Sequence, residues 1–128
     1  MKNACIVGYG AIGPVHAAAV SRTPYANLYA VCDINIERAQ KCSQKYGCKV
    51  YTEFRDLLSD KSIDTVHICT PHYLHKDMVI EALEAGKYVV LEKPVAINMD
   101  ELNEIVEYVE KNNGVCYNPT YNAVGMSV

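Results

Sequence analysis

Residues 4–13 read Ala-Cys-Ile-Val-Gly-Tyr-Gly-Ala-Ile-Gly, an apolar run that stops at a glycine and continues as GxGxxG. The run predicts a buried strand, and the stretch from about Ala11 to Arg22 predicts a helix. Glycines at a strand-to-helix junction have separate physical uses. Gly8 permits the tight turn, Gly10 lets the backbone come close to a phosphate, and Gly13 lets helix and strand pack closely. The helix N-terminus brings free N–H groups and a partial positive charge to the same place, which suits a pyrophosphate. Pro14 falls in the first turn, where its missing N–H costs little.

Outward from that loop, short apolar runs alternate with helical stretches along the chain. LYAVCD (28–33) precedes an amphipathic stretch, Asn35 to Tyr46, in which Ala39, Cys42 and Tyr46 fall on one face. KVY (49–51) leads to a short helix that Thr52 is placed to cap, with Phe54, Leu57 and Leu58 inward. DTVHIC (64–69) precedes a helix from about Tyr73 to Ala85, with Leu74, Met78, Ala82 and Ala85 on its inner face and Gly86 at its end. KYVVLE (87–92) is a fifth run, and Asn98 with Glu101 has capping-box spacing for a helix burying Leu102, Ile105, Val106 and Val109. GVCY (114–117) is a sixth run. The strand runs are nearly continuous in apolar residues, as strands covered on both faces are, so the sheet is expected to be parallel. Strict alternation of strand and helix gives an α/β, doubly wound parallel sheet in a single domain, and six strands fit the dinucleotide-binding order 3-2-1-4-5-6.

Composition narrows the function classes. The chain has 128 residues, half of them hydrophobic, 21% charged and a formal net charge of −3. That is globular composition without a basic stripe, so neither nucleic acid nor an anionic membrane is an expected partner. The N-terminal stretch breaks at glycines too early for a signal peptide or anchor, and a cytoplasmic location is expected. Six cysteines form no CxxC and no zinc-type spacing with histidine, so they are read as reduced thiols with no metal site. Cys5, Cys32 and Cys69 lie inside apolar runs, where a thiol behaves as a small hydrophobe.

Asp33 lies 20 residues beyond Gly13, at the end of the second strand. A carboxylate there accepts hydrogen bonds from an adenosine ribose and repels a 2′-phosphate, which favours NAD over NADP. Arg38 is close enough in sequence to soften that preference. A further cluster follows the fourth and fifth strands: Thr70-Pro71-His72-Tyr73-Leu74-His75, and Glu92-Lys93-Pro94. Both lie at strand carboxyl ends, where open α/β sheets bind ligands. His16 and His67 are expected in packing and core hydrogen bonding. The ten tyrosines are scattered, without stacking periodicity.

GxGxxGxxH, TPxxxH, the run ALEAGKYVVLEKP and the late YNxxY segment together resemble the glucose–fructose oxidoreductase / inositol dehydrogenase (Gfo/Idh/MocA) family, over Met1 to about Asn122. The resemblance implies an NAD(P)-dependent oxidoreductase acting on a sugar, cyclitol or related hydroxyl or carbonyl compound. It implies that Gly8, Gly10, Ala11, Ile12 and Gly13 cradle the pyrophosphate and that Asp33 holds the ribose. Thr70, Pro71 and His75 would form the wall beside the nicotinamide half, with Glu92 and Lys93 near the nicotinamide ribose and the reacting carbon. Lys93 stands in the family's catalytic-lysine position, and Pro94 would fix the turn that aims it. A partly buried ammonium suits that work, because desolvation lowers its pKa toward the range where it exchanges a hydroxyl proton. His72 stands where the family more often has asparagine.

Family members carry a second domain that supplies the substrate pocket. Residues 1–120 are expected to be the dinucleotide-binding domain, and 121–128 a truncated tail where that second domain would begin. Expected partners are therefore the dinucleotide, a small-molecule substrate only if a second domain is supplied, and self-association through the surface left by the missing domain. The isolated chain is expected to hold cofactor with little or no turnover. A non-catalytic NAD-binding sensor or regulatory module is the alternative reading. A Rossmann enzyme using adenylated or CoA-type ligands is disfavoured by Asp33 and by the EKP segment.

Overall fold

A computed structural model describes residues 2–91, 99–112 and 116–117 of the chain. Six parallel strands, β1 (Lys2–Val7), β2 (Ala26–Cys32), β3 (Lys49–Tyr51), β4 (Thr65–Ile68), β5 (Tyr88–Leu91) and β6 (Cys116–Tyr117), form one sheet in the order β3-β2-β1-β4-β5-β6. This is the expected doubly wound order, with the change of direction beside β1. Five helices connect and flank the strands: α1 (Gly13–Arg22), α2 (Ile36–Tyr46), α3 (Phe54–Leu58), α4 (His75–Glu84) and α5 (Met99–Asn112).

The period of two along the strands sends alternate side chains to opposite faces, with one irregularity at Tyr29 of β2 that puts Leu28 and Val31 on the same face, and both faces are dry. Ala4, Ile6, Leu28 and Val31 pack under Ala17 and Val20 of α1 and Ala39 and Cys42 of α2. Cys5, Val7, Val66, Ile68, Val89 and Leu91 pack on the other face against Leu57 of α3, Val79 and Ala82 of α4, and Ile105 and Val109 of α5. Fully burying a branched aliphatic side chain contributes about 1.5–3 kcal/mol, so the two layers carry most of the folding energy.

Local chemistry sets the ends of the elements. Asn35 caps α2, its side-chain oxygen accepting from the N–H groups of Glu37 and Arg38 at 3.0 and 3.4 Å. Gly47 ends the same helix in the left-handed region (φ 72°), and its N–H donates to the Ser43 carbonyl. Gly86 adopts φ 80° just past α4, as its place in the sequence predicts. Lys87, at the foot of β5, is buried, and its ammonium donates to the carbonyls of Asp60 and Ile63 at 2.7 and 2.8 Å. It ties two carbonyls of the α3–β4 connection to the foot of β5 and satisfies its own buried charge there.

Three expectations are corrected. α1 begins at Gly13 rather than Ala11, because residues 8–12 are used up in the loop. Thr52 does not cap α3; Glu53 occupies the cap position without a side-chain hydrogen bond, and Thr52 borders a cavity instead. The inner face of α4 carries His75, Val79 and Ala82, while Leu74 and Ala85 are exposed. A 3₁₀ turn at His72–Leu74 precedes α4 and shifts its phase, since that turn advances faster per residue than an α-helix. Asn98 lies outside the described residues.

Candidate functional site

The carboxyl ends of β1, β2 and β4 open into a cavity of about 550 Å³. Of the residues singled out in the sequence, Gly8, Gly10, Ala11, Ile12, Asp33, Arg38, Thr70 and Pro71 border it. Gly8 follows β1 at φ 92°, and its N–H donates to the Cys32 carbonyl at 2.8 Å. A Cβ at Gly8 would press on the Cys69 carbonyl carbon and on Thr70 at 3.0 Å, so the loop and the β4 end fit only around a hydrogen atom. A Cβ at Gly13 would run into the Gly8 carbonyl oxygen. At Gly10 the situation is reversed: within 4 Å a Cβ would meet only a guanidinium nitrogen of Arg38, at 3.9 Å. Gly8 and Gly13 thus close the loop, and Gly10 leaves room on its cavity side for a group as bulky as a phosphate.

Asp33 is buried, and both of its carboxylate oxygens are anchored. Oδ2 accepts from the Tyr9 N–H and Oδ1 from the Asn35 N–H, each at 2.9 Å. Each oxygen keeps lone-pair capacity for a second donor. The helix-start function falls to Asn35, so Asp33 is not the solvated cap that its place before α2 would also allow. Arg38, in the first turns of α2, faces the same cavity across Gly10.

The opposite wall comes from the segment after β4. Thr70 donates its hydroxyl to the Met78 sulfur at 3.2 Å. His75 does not border the cavity; its Nε2 lies 2.8 Å from the Thr70 carbonyl oxygen, and the ring is 1% exposed. It holds the Thr70–Pro71 corner from behind. β5 runs beside β4 with Leu91 paired to Ile68, so the chain leaves β5 level with the start of that wall. Glu92, Lys93 and Pro94 lie outside the described residues, as does the side chain of His72.

Several lining residues have no site role assigned by the sequence. Ile34 is 94% exposed directly after Asp33 and borders the cavity, together with Thr52, Phe54, Tyr73 and Leu74. An apolar residue exposed at a strand end was the available clue. Tyr9 stands between two glycines with no role assigned by its sequence position, yet its N–H fixes Asp33. His16 and His67 form a pair, their Nδ1 atoms 3.0 Å apart and their rings edge to face. One ring donates and the other accepts, which agrees with the hydrogen-bonded role expected of His67.

A glycine loop on a helix start, an anchored carboxylate at the next strand end and a cavity at the change of strand order define a dinucleotide-binding domain of the Rossmann class. The chain belongs to the GFO_IDH_MocA family, whose model, described as "Oxidoreductase family, NAD-binding Rossmann fold", matches residues 2–120. It is 38% identical over 113 residues to an inositol 2-dehydrogenase of Salmonella typhimurium, covering 86% of this chain and 34% of that protein. It is 34% identical over 113 residues to the scyllo-inositol 2-dehydrogenase (NAD(+)) of Bacillus subtilis, covering 87% and 33%. Among solved structures it resembles an NAD-binding protein from Listeria innocua, with a TM-score of 0.86 and 35% identity over 94% of this chain and 36% of the other. The chain spans about a third of the length of the curated relatives it matches. Among the described residues no helix is long and apolar enough to cross a membrane.

Proposed function

We propose that this chain holds the cofactor in an oxidoreductase that interconverts a hydroxyl and a carbonyl group on a sugar, cyclitol or similar polyhydroxylated compound. The observation that carries the reading is the doubly anchored Asp33 carboxylate facing one cavity with Gly10 and Arg38. The family match and the inositol dehydrogenases among the relatives support the reaction type and substrate class.

In this reading the backbone of Gly8, Gly10, Ala11, Ile12 and Gly13 seats the pyrophosphate at the start of α1. Asp33 accepts from the ribose hydroxyls. Thr70 and Pro71, held by His75, wall the nicotinamide half, and Glu92 and Lys93 lie near its ribose and the reacting carbon. The bound nicotinamide would supply the hydride acceptor or donor. Lys93 would take the hydroxyl proton during oxidation and return it during reduction, a role resting on its place in the EKP segment. In this proposal residues 1–120 are the cofactor domain, and a second domain would begin at 121–128. Substrate binding then needs a further domain, as the threefold length of the relatives suggests, and the chain alone turns over little or not at all. In residues 1–128 by themselves, water would reach the nicotinamide and weaken the preorganisation that hydride transfer requires. The reduced thiols of Cys5, Cys32, Cys42 and Cys48 support a reducing, cytoplasmic setting.

NAD is the preferred cofactor in this proposal, because a 2′-phosphate would meet the Asp33 carboxylate. Arg38 across the cavity gives NADP a weaker alternative hold. Titration of the wild type and of Asp33→Ala with both cofactors tests this. The variant should lose roughly tenfold or more in NAD affinity, the worth of hydrogen bonds to a charged group. Its NADP affinity should stay level or rise. A wild type that prefers NADP, or an Asp33→Ala chain that binds NAD unchanged, would contradict the assignment.

A further inference from the structure

Beneath the glycine loop, on the α1–α2 side of the sheet, two nucleophilic side chains lie close together. The Sγ atoms of Cys42 and Cys48 are 3.6 Å apart. Cys42 sits on the inner face of α2, and Cys48 follows Gly47, whose left-handed backbone turns the chain back under the helix. Tyr9, from the middle of the glycine loop, packs on the same cluster. The groups form a line, Tyr9 to Cys42 to Cys48, in which the two thiols share one hydrogen bond.

Titration directions agree with that line. The hydrogen bond from Cys42 draws the Cys48 thiol below its ordinary value, against the opposing effect of burial. Donation to Cys48 and burial hold the Cys42 thiol well above the usual thiol range. Burial, helped by Cys42, pushes Tyr9 up to about 12. Cys48 is therefore the thiol of the pair that ionises more readily. Cys5 and Cys32 differ: burial holds Cys5 well above the usual thiol range and pushes Cys32 up to about 12.

We propose that Cys42 and Cys48 form a reversible disulfide on exposure to hydrogen peroxide, and that the disulfide loosens the glycine loop through Tyr9. The Cys48 thiolate attacks one peroxide oxygen, forming an S–O bond as the O–O bond breaks. The departing hydroxide takes up the proton that Cys48 gave to the medium. The Cys42 sulfur then attacks the Cys48 sulfenic sulfur, and hydroxide leaves with the Cys42 proton as water. Two thiols are oxidised by two electrons, and one peroxide becomes two waters. The sulfurs must close from 3.6 Å to about 2.05 Å. Cys48 is 6% exposed in the turn between the end of α2 and the three-residue edge strand β3. Helix ends and sheet edges open locally at the lowest cost, which gives a small oxidant entry.

Closing the bond moves Cys42 and reshapes the cluster on which Tyr9 packs. Tyr9 lies between Gly8 and Gly10 and fixes Asp33 through its N–H. Its release therefore reaches both the loop and the carboxylate. The effect on cofactor rests on the proposed function of that loop; formation of the disulfide does not.

Trypsin cleaves after Lys41, Lys45 and Lys49, so Cys42 and Cys48 fall in separate peptides, residues 42–45 and 46–49. The reduced full chain is first titrated with NAD, then treated with peroxide, alkylated, digested and mapped by mass. The expected result is a linked 42–45/46–49 pair that dithiothreitol releases. With it should come faster amide exchange over residues 8–13, measured without cofactor, and NAD affinity weaker by about fivefold or more. Cys42→Ser and Cys48→Ser should bind NAD as the reduced wild type does, before and after peroxide; Cys48→Ala serves if a serine variant folds poorly. No linked pair, or linkage to another cysteine, overturns the proposal. A linked pair with unchanged exchange over 8–13 overturns the coupling. Absence of NAD binding in the reduced chain strikes the functional reading instead, and leaves mapping and exchange to decide this one.

Discussion

Three glycines in one loop have three different reasons to be glycine, and substitution separates them. A methyl group at Gly13 must displace the Gly8 carbonyl, so Gly13→Ala is expected to cost about 1–3 kcal/mol of stability, as overpacking does. A methyl group at Gly10 meets only the mobile end of Arg38, so Gly10→Ala should unfold within about 0.5 kcal/mol of the wild type. Yet that methyl group occupies the side from which a phosphate would approach, and NAD affinity should fall roughly tenfold, as for one lost charge-assisted hydrogen bond. Urea unfolding and cofactor titration of the two variants check both halves. A Gly10→Ala chain that binds normally would mean the phosphates lie elsewhere. The GxGxxG spacing and Asp33 were legible in the sequence because each depends on local backbone geometry. Tyr9 was not: what fixes its role is a partner 24 residues away and another on α2, which spacing alone does not reveal.

At the scale of elements, α1 and β4 meet through His16 and His67 rather than through apolar contact alone. Burial first, and His16 second, hold His67 down to about 4 from its ordinary 6.5. In the unfolded chain His67 takes its proton near 6.5, and in the folded chain only near 4, so the unfolded state binds more protons in between. This contribution is intact above pH 6.5 and is lost as pH falls toward 4, by at most roughly 3 kcal/mol. His67→Gln should flatten the stability profile in that window, measured by urea unfolding at a series of pH values. An unchanged slope would contradict the pairing. Asp60, held down to about 2 chiefly by the Tyr51 hydroxyl, adds its own loss in the more acidic range below 3.8. The order of the elements was readable from apolar runs and helix signals, because burial on both faces writes itself into strand composition. The phase of α4 was not, since the buried, bonded ring of His75 reads as polar in sequence and the preceding 3₁₀ turn leaves no periodic mark. The Thr52 cap failed for a similar reason: with five residues, α3 is held by Leu57 and its neighbours in the core rather than by its end.

For the whole molecule, the sheet order brings chain segments far apart in sequence to one edge, and the cavity follows from that topology. Crossing from β1 to β4 at the change of direction leaves a crevice that no helix fills, with residues 8–12, 33–38 and 69–71 as its banks. The chain covers about a third of the length of its relatives, so the cofactor half of the chemistry is the part its own residues can carry. Calorimetric titration of the reduced chain with NAD, beside Gly10→Trp, tests that claim most directly. The account predicts saturable one-to-one binding below about 1 mM, lost in the folded Gly10→Trp variant. A folded wild-type chain that shows no heat of binding with NAD at that concentration, or a Gly10→Trp chain that binds as well, would contradict it.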